Sequence, residues 1–309
     1  MKSRTTLVLS ATSGAATALV VLLVMSFAGR KGPDREADLH YHRQITEKYK
    51  VFSLPLPETA SFAGEEVPLE QWDVRERMDR ELLVNTYWQS NTLLAIKRAQ
   101  RWFPVIEPIL KKNGVPDDFK YLAVIESGLT MSVSPSGAVG FWQFMEATGR
   151  QYQLEINEEV DERYHVQRST EAACLYLLEA YHKFGSWTMA AASYNMGQNG
   201  LERQANRQQA TLYWDLLLNE ETSRYVFRIL AVKEILGNPD RYGFVLRPAD
   251  LYEPLTYREI VVDSAVTDFA SFARNQGISY KMLKLYNPWL REGYLKNKGK
   301  KTYIIQLPA

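Results

Sequence analysis

The 309-residue chain is 46% hydrophobic and 24% charged, with a formal net charge of +1. That balance suits a globular protein with one sizeable core and a small second module, and it excludes a disordered chain. It also lacks the basic excess of a nucleic-acid binder, so no nucleic-acid partner is expected.

At the N-terminus, Lys2 and Arg4 precede an uncharged stretch from Thr5 to Gly29, most apolar from Ala15 to Ala28. Residues 1–29 read as a targeting segment outside the fold, either a cleaved signal peptide or a retained membrane anchor. Ser26-Phe27-Ala28 offers the small residues of a signal-peptidase site, with cleavage after Ala28. The stretch also reaches the roughly 20 residues that span a bilayer. It exceeds the roughly 7–15-residue apolar core of a signal peptide, which favours the anchor. Both readings imply export, with the Lys2 and Arg4 end left in the cytoplasm if the segment is retained.

Residues 30–70 carry Pro55, Pro57 and Pro68 and read as a linker or surface arm, with a short amphipathic helix at Tyr41–Phe52. From 71 to 247 the pattern is helical. Helices are expected over Asp73–Ala99, over Trp102–Leu110 after a break near Pro104, and from Pro116 to Gly128. Others should run from an N-cap at Ser169 to Phe184, from Trp187 to Met196, and from Asn219 to Leu236. The single cysteine, Cys174, lies in an apolar helical run and reads as a core residue. The four histidines, His40, His42, His165 and His182, show no metal-ligand spacing, so no metal and no cofactor are expected. Residues 255–309 change character: a strand at Tyr257–Val262, helical patterns at Val266–Gln276 and Tyr280–Tyr286, and a strand at Thr302–Leu307 make a βααβ module. A unit that small is expected to dock on the helical domain.

The chemistry concentrates at Glu126. Phe119, Leu122, Ala123 and Glu126 share one face of a helix that stops at Gly128, and no charge follows Glu126 until Glu146. Apolar surroundings and the negative end of the helix dipole both raise a carboxyl pKa, and a Glu kept protonated near neutral pH can serve as a general acid. The same position also suits a solvated glutamate on a fraying last turn.

Glu126-Ser127-Gly128, Gly140-Phe141-Trp142-Gln143-Phe144-Met145 and Ala192-Ser193-Tyr194-Asn195-Met196-Gly197 occur in this order, with Val160-Asp161-Glu162-Arg163 between the last two. This wording resembles the catalytic region of the lytic transglycosylases, over about residues 113–236. The resemblance implies a mainly α, lysozyme-like domain with a groove for a peptidoglycan strand. It implies cleavage of the β-1,4 bond between N-acetylmuramic acid and N-acetylglucosamine with formation of 1,6-anhydro ends. Glu126 then corresponds to the family's catalytic acid and base. Ser127, Gln143, Tyr194, Asn195 and Tyr225 correspond to substrate-binding positions, each with a structural alternative: a helix end, a buried amide or a core aromatic. Phe141 and Trp142 read as apolar walls or as packing. Glu146 stands where many relatives have proline, and Ser193 where alanine is common. The C-terminal module loosely resembles a lysin motif, a peptidoglycan-binding βααβ unit, with Asp263-Ser264-Ala265-Val266 replacing its usual turn. Implied partners are glycan strands and proteins of wall synthesis or division. An inactive wall-binding or scaffolding protein and a lysozyme-type hydrolase stand as alternatives.

Overall fold

The structure, a computed structural model, describes residues 51–309 together with Leu39, Arg43 and Glu47. The targeting segment and most of the expected Tyr41–Phe52 helix lie outside the described residues. Among those described, no helix is long and apolar enough to cross a membrane.

Within 30–70, read from sequence as a linker or surface arm, the part from Leu54 onward is built into the fold. A short hairpin pairs β1 (Ser61–Phe62) with β2 (Glu65–Glu66) and buries Phe62, Val67 and Leu69 in the main core. The prolines misled here because they restrict the backbone of a segment whose Leu54, Leu56, Val67 and Leu69 pack on the core, instead of loosening it. The hairpin also delivers Glu65 to a helix start. Its carboxylate accepts hydrogen bonds from the Ser186 hydroxyl at 2.8 Å and the Thr188 N–H at 3.0 Å. A negative charge is stabilised there by the unpaired N–H groups and the helix dipole.

The helical domain follows as α1 (Trp72–Tyr87), α2 (Gln89–Lys112), α3 (Lys120–Ser127), α4 (Glu146–Gln151), α5 (Val166–Phe184), α6 (Trp187–Met196), α7 (Gln198–Gln208) and α8 (Glu220–Gly237). The break falls at Trp88, not at Pro104, and α2 runs through both Pro104 and Pro108. Both prolines sit on an exposed face, where water can satisfy the carbonyls that lose an N–H partner. The cap of α5 is His165 rather than Ser169, which is buried inside the first turn with its hydroxyl on the Val166 carbonyl. α7 is an element that the periodicity did not reveal, being polar almost throughout with only Leu201 buried. α8 packs against α1, α3 and α6, with Tyr225, Val226, Ile229 and Ile235 fully buried. Cys174 lies in the same core, and burial pushes its thiol up to about 12, which removes it as a nucleophile.

The C-terminal module pairs β3 (Tyr257–Val262) antiparallel with β4 (Tyr303–Pro308), with α9 (Phe269–Asn275) and α10 (Tyr280–Tyr286) between them. Buried Asn287 pins β4: its amide nitrogen donates to the Gln306 carbonyl at 2.6 Å and its amide oxygen accepts from the Gln306 N–H at 2.8 Å. The module and the helical domain belong to one compact unit, Leu54–Ala309. A second core cluster joins Val139, Val160 and Tyr164 of the helical domain to Phe269, Trp289, Leu290 and Leu295 of the module. The seam is closed by main-chain bonds, Asp161 N–H to the Trp289 carbonyl at 2.9 Å and Arg291 N–H to the Glu159 carbonyl at 2.8 Å.

Beside the seam, Asp161 and Arg163 form a buried pair. The carboxylate of Asp161 accepts from Arg163 Nε at 3.0 Å and Nη2 at 2.7 Å. Arg163 also donates to the carbonyl of Phe144 at 3.3 Å. Asp161→Ala therefore strands a buried guanidinium and is expected to destabilise the chain by about 3–5 kcal/mol, read from urea unfolding of the full protein. A loss below about 1 kcal/mol would show that water compensates the charge.

Candidate active site

α3 is short because its sequence ends it. Gly128 takes the left-handed conformation, φ 60°, and its N–H closes on the Val124 carbonyl. Phe119, Leu122 and Ala123 are fully buried, so the same face carries Glu126 inward, partly buried at the helix C-terminus. Glu126 opens onto a cavity of about 530 Å³ lined by residues of α1, α2, α3 and α8, among them Asn91, Arg98 and Arg228, together with Trp88 at the α1–α2 break and Thr130 and Ser132 of the loop after α3. Burial pushes its carboxyl pKa above the usual range, and the Glu221 charge adds to this. The Tyr225 hydroxyl and the Arg228 guanidinium pull the other way and do not overcome burial.

Tyr225, fully buried on α8, donates its hydroxyl hydrogen to Glu126 Oε1. Burial and the Glu126 charge hold this phenol protonated, so it remains a donor. Tyr194 is held protonated for the same two reasons. The structure thus brings Glu126, Tyr225 and Tyr194 into one electrostatic neighbourhood.

Three of the remaining motif residues grip one piece of backbone. Gln143 Nε2 donates to the Gly140 carbonyl at 2.8 Å, Ser127 Oγ to the Phe141 carbonyl at 3.0 Å, and Tyr194 Oη to the Trp142 carbonyl at 2.8 Å. Consecutive carbonyls of the loop after α3 are therefore each held by a different motif side chain. Gln143 itself adopts a left-handed conformation, φ 49°, a strained state for a non-glycine residue. Among the described residues, no hydrogen bond reaches its amide oxygen. Phe141 and Trp142 are packing residues, both buried, with the indole N–H of Trp142 on Thr170 Oγ1 at 2.9 Å. Asn195 turns the other way: it donates to Glu221 at 2.9 Å and accepts from the Thr222 hydroxyl at 2.7 Å, joining α6 to the start of α8.

The two departures from the expected motif are locally satisfied. Glu146 opens α4 and pairs with Arg150 at 2.8 Å on the surface, while buried Ser193 donates to the Ala190 carbonyl at 2.7 Å. Sequence reasoning missed Arg98, Arg228 and Glu81, all of which line the Glu126 cavity. Arg228 carried a signal, a lone cation in the apolar run Tyr225-Val226-Phe227-Arg228-Ile229-Leu230. Glu81, 1% exposed, is paired with Arg224 at 2.7 Å and Arg80 at 2.5 Å.

Residues 103–217 match the family model of the Transglycosylase SLT domain. Residues 258–309 match that of the soluble lytic transglycosylase C-terminal LysM-like domain. Membrane-bound lytic murein transglycosylase D of Escherichia coli strain K12 and that of strain O6:H1 are each 29% identical to the chain over 255 residues. The alignment covers 79% of this chain and 55% of each relative, so the chain spans about half the length of the curated relatives it matches. The first match falls within the helical part of the fold and the second coincides with the βααβ part, so the chain is similar to a Transglycosylase SLT domain followed by a LysM-like C-terminal domain.

Proposed function

We propose that this chain is an exported lytic transglycosylase of peptidoglycan, with Glu126 as its single acid and base. The observation that carries the reading is a Glu of raised pKa, partly buried, hydrogen-bonded by Tyr225 and opening onto a cavity of about 530 Å³ with both polar and apolar lining. A protonated Glu126 gives its proton to the oxygen of the β-1,4 bond between N-acetylmuramic acid and N-acetylglucosamine. The bond from that oxygen to the anomeric carbon breaks, and charge builds on the sugar ring. The C6 hydroxyl of the same sugar then attacks the anomeric carbon and returns its proton to the Glu126 carboxylate. A 1,6-anhydromuramyl end results, no water is consumed, and Glu126 is protonated again. An intramolecular nucleophile has a high effective concentration, so no second carboxylate is needed to activate water.

Glu81 gives the hydrolase reading its one specific support, since it lines the same cavity. Its pairing argues against it, because the guanidinium groups of Arg80 and Arg224 already hold its Oε1. Ser127, Gln143 and Tyr194 act in this account mainly by fixing the 140–142 backbone beside the groove. Gln143 keeps an amide oxygen able to accept from a sugar N-acetyl group. The LysM-like module holds glycan near the groove, and residues 1–29 carry the enzyme across the membrane or anchor it there.

Digestion of purified sacculi tests the proposal: soluble fragments lacking the mass of one water are expected. Reducing ends would make the chain a hydrolase, and no soluble product would leave it a binding protein. Tyr225→Phe tests the acid. The lost hydrogen bond favoured the carboxylate, so the Glu126 pKa rises further and the alkaline limb of the rate profile moves to higher pH. A limb that stays or moves down would remove Tyr225 from the acid's environment.

A further inference from the structure

Two arginines from different helices meet the last turn of α3. Arg98 Nη1, on α2, donates to the Gly128 carbonyl at 3.1 Å, and Arg228 Nη2, on α8, donates to the Ile125 carbonyl at 2.8 Å. Both line the cavity that holds Glu126. A helix C-terminus presents only about half a negative charge, less than the two positive charges brought to it. The third arginine of this wall, Arg224, is paired with Glu81 at 2.7 Å, whereas among the described residues neither Arg98 nor Arg228 has a carboxylate within 4.0 Å. When Glu126 is protonated, this end of the groove is therefore cationic. Each guanidinium carries five N–H donors, and the bonds described here use one apiece.

We propose that Arg98 and Arg228 form a carboxylate-binding site that makes the groove select acidic glycan units over neutral ones at the scissile bond. The inference rests on reading the groove as the glycan-cleaving site. A guanidinium recognises a carboxylate through paired, charge-assisted hydrogen bonds that a neutral N-acetylhexosamine cannot supply. The carboxylate has two chemical sources in peptidoglycan: the lactyl group of a muramic acid without its peptide, or a stem peptide. Arginine chemistry is the same for both.

Calorimetric binding to the full chain carrying Glu126→Gln, which prevents turnover, separates these sources. The probes are tetrasaccharides of alternating N-acetylglucosamine and N-acetylmuramic acid in three forms: lactyl carboxylate free, lactyl converted to its methylamide, and peptide attached. One or both acidic forms should bind about tenfold tighter than the methylamide, and the advantage should shrink as salt rises. Arg98→Gln and Arg228→Gln should each reduce that advantage to about threefold or less, while Arg98→Lys keeps part of it. If a glutamine variant fails to fold, as its melting curve would reveal, the comparison of probes and its salt dependence in the parent decides alone. Equal affinity for all three forms overturns the inference. Failure of the underlying reading looks different: no probe binds, and the unsubstituted protein releases no product from sacculi.

Discussion

Replacing Glu126 by Gln is expected to lower fragment release from peptidoglycan by a factor on the order of 10²–10⁴ while leaving the chain folded. The amide matches the carboxyl in shape, and its oxygen can still accept the Tyr225 hydroxyl, so neither a cavity nor an orphaned phenol results. What disappears is the transferable proton. The sign of the stability change follows from the direction of the pKa shift. Burial raises the folded-state pKa of Glu126 above its ordinary value, so the folded chain holds a proton that the unfolded chain has released. Wild-type stability accordingly falls as pH rises through that window, whereas the substituted amide has no proton to lose. Melting curves across pH should show the Glu126→Gln protein equal to wild type in acid and at least as stable at neutral pH. A variant that cleaves at wild-type rate, or that loses stability at neutral pH, would contradict this account of the carboxyl.

Among the described glycines, Gly140→Ala should produce the largest structural effect of any single added methyl group. A Cβ at this position would lie 2.1 Å from the main-chain carbonyl oxygen of Arg163, and the residue sits at φ +80°. Both the clash with backbone and the positive φ oppose alanine. The expected destabilisation exceeds about 3 kcal/mol, measurable by thermal or urea unfolding. The consequence for activity follows from position. Gly140 starts the run of carbonyls held by Gln143, Ser127 and Tyr194, and its own N–H bonds the Ser132 carbonyl at 2.9 Å. Pushing this loop off residue 163 loosens the floor behind Glu126, so activity should fall even at temperatures where the variant stays folded. Wild-type stability would mean that the Arg163 backbone yields without cost.

Where local physics decides an element, the sequence was a sound guide. Ser186 and Asn219 cap α6 and α8 through their side chains, and Gly128, Gly185 and Gly197 follow the last residues of α3, α5 and α6. Those signals are intrinsic to a few neighbouring residues. The misses share a different cause, which is long-range. Pro104 and Pro108 looked like helix breakers because nothing local says that their face meets water. The run from Leu54 to Leu69 looked like an arm because its partners lie far along the chain, as Ala63 with Asp118 and Glu65 with Ser186 and Thr188 show. The same limit applies to the site. Glu126 was legible from its apolar phase and its position before a glycine, and Tyr225 only through resemblance. Arg228 left one mark, its lone charge in an apolar run, but its meeting with Arg98 was not legible, since three helices that converge on one turn leave no mark in spacing.

The most direct measurement is the digestion of sacculi by the purified chain in isotopically heavy-oxygen water, followed by mass spectrometry of every released fragment. If Glu126 directs the C6 hydroxyl onto the anomeric carbon, product ends are 1,6-anhydro and carry no solvent oxygen, and the Glu126→Gln protein yields none of them. Reducing ends that bear the heavy isotope would show that water is the nucleophile, and would contradict the single-carboxylate account.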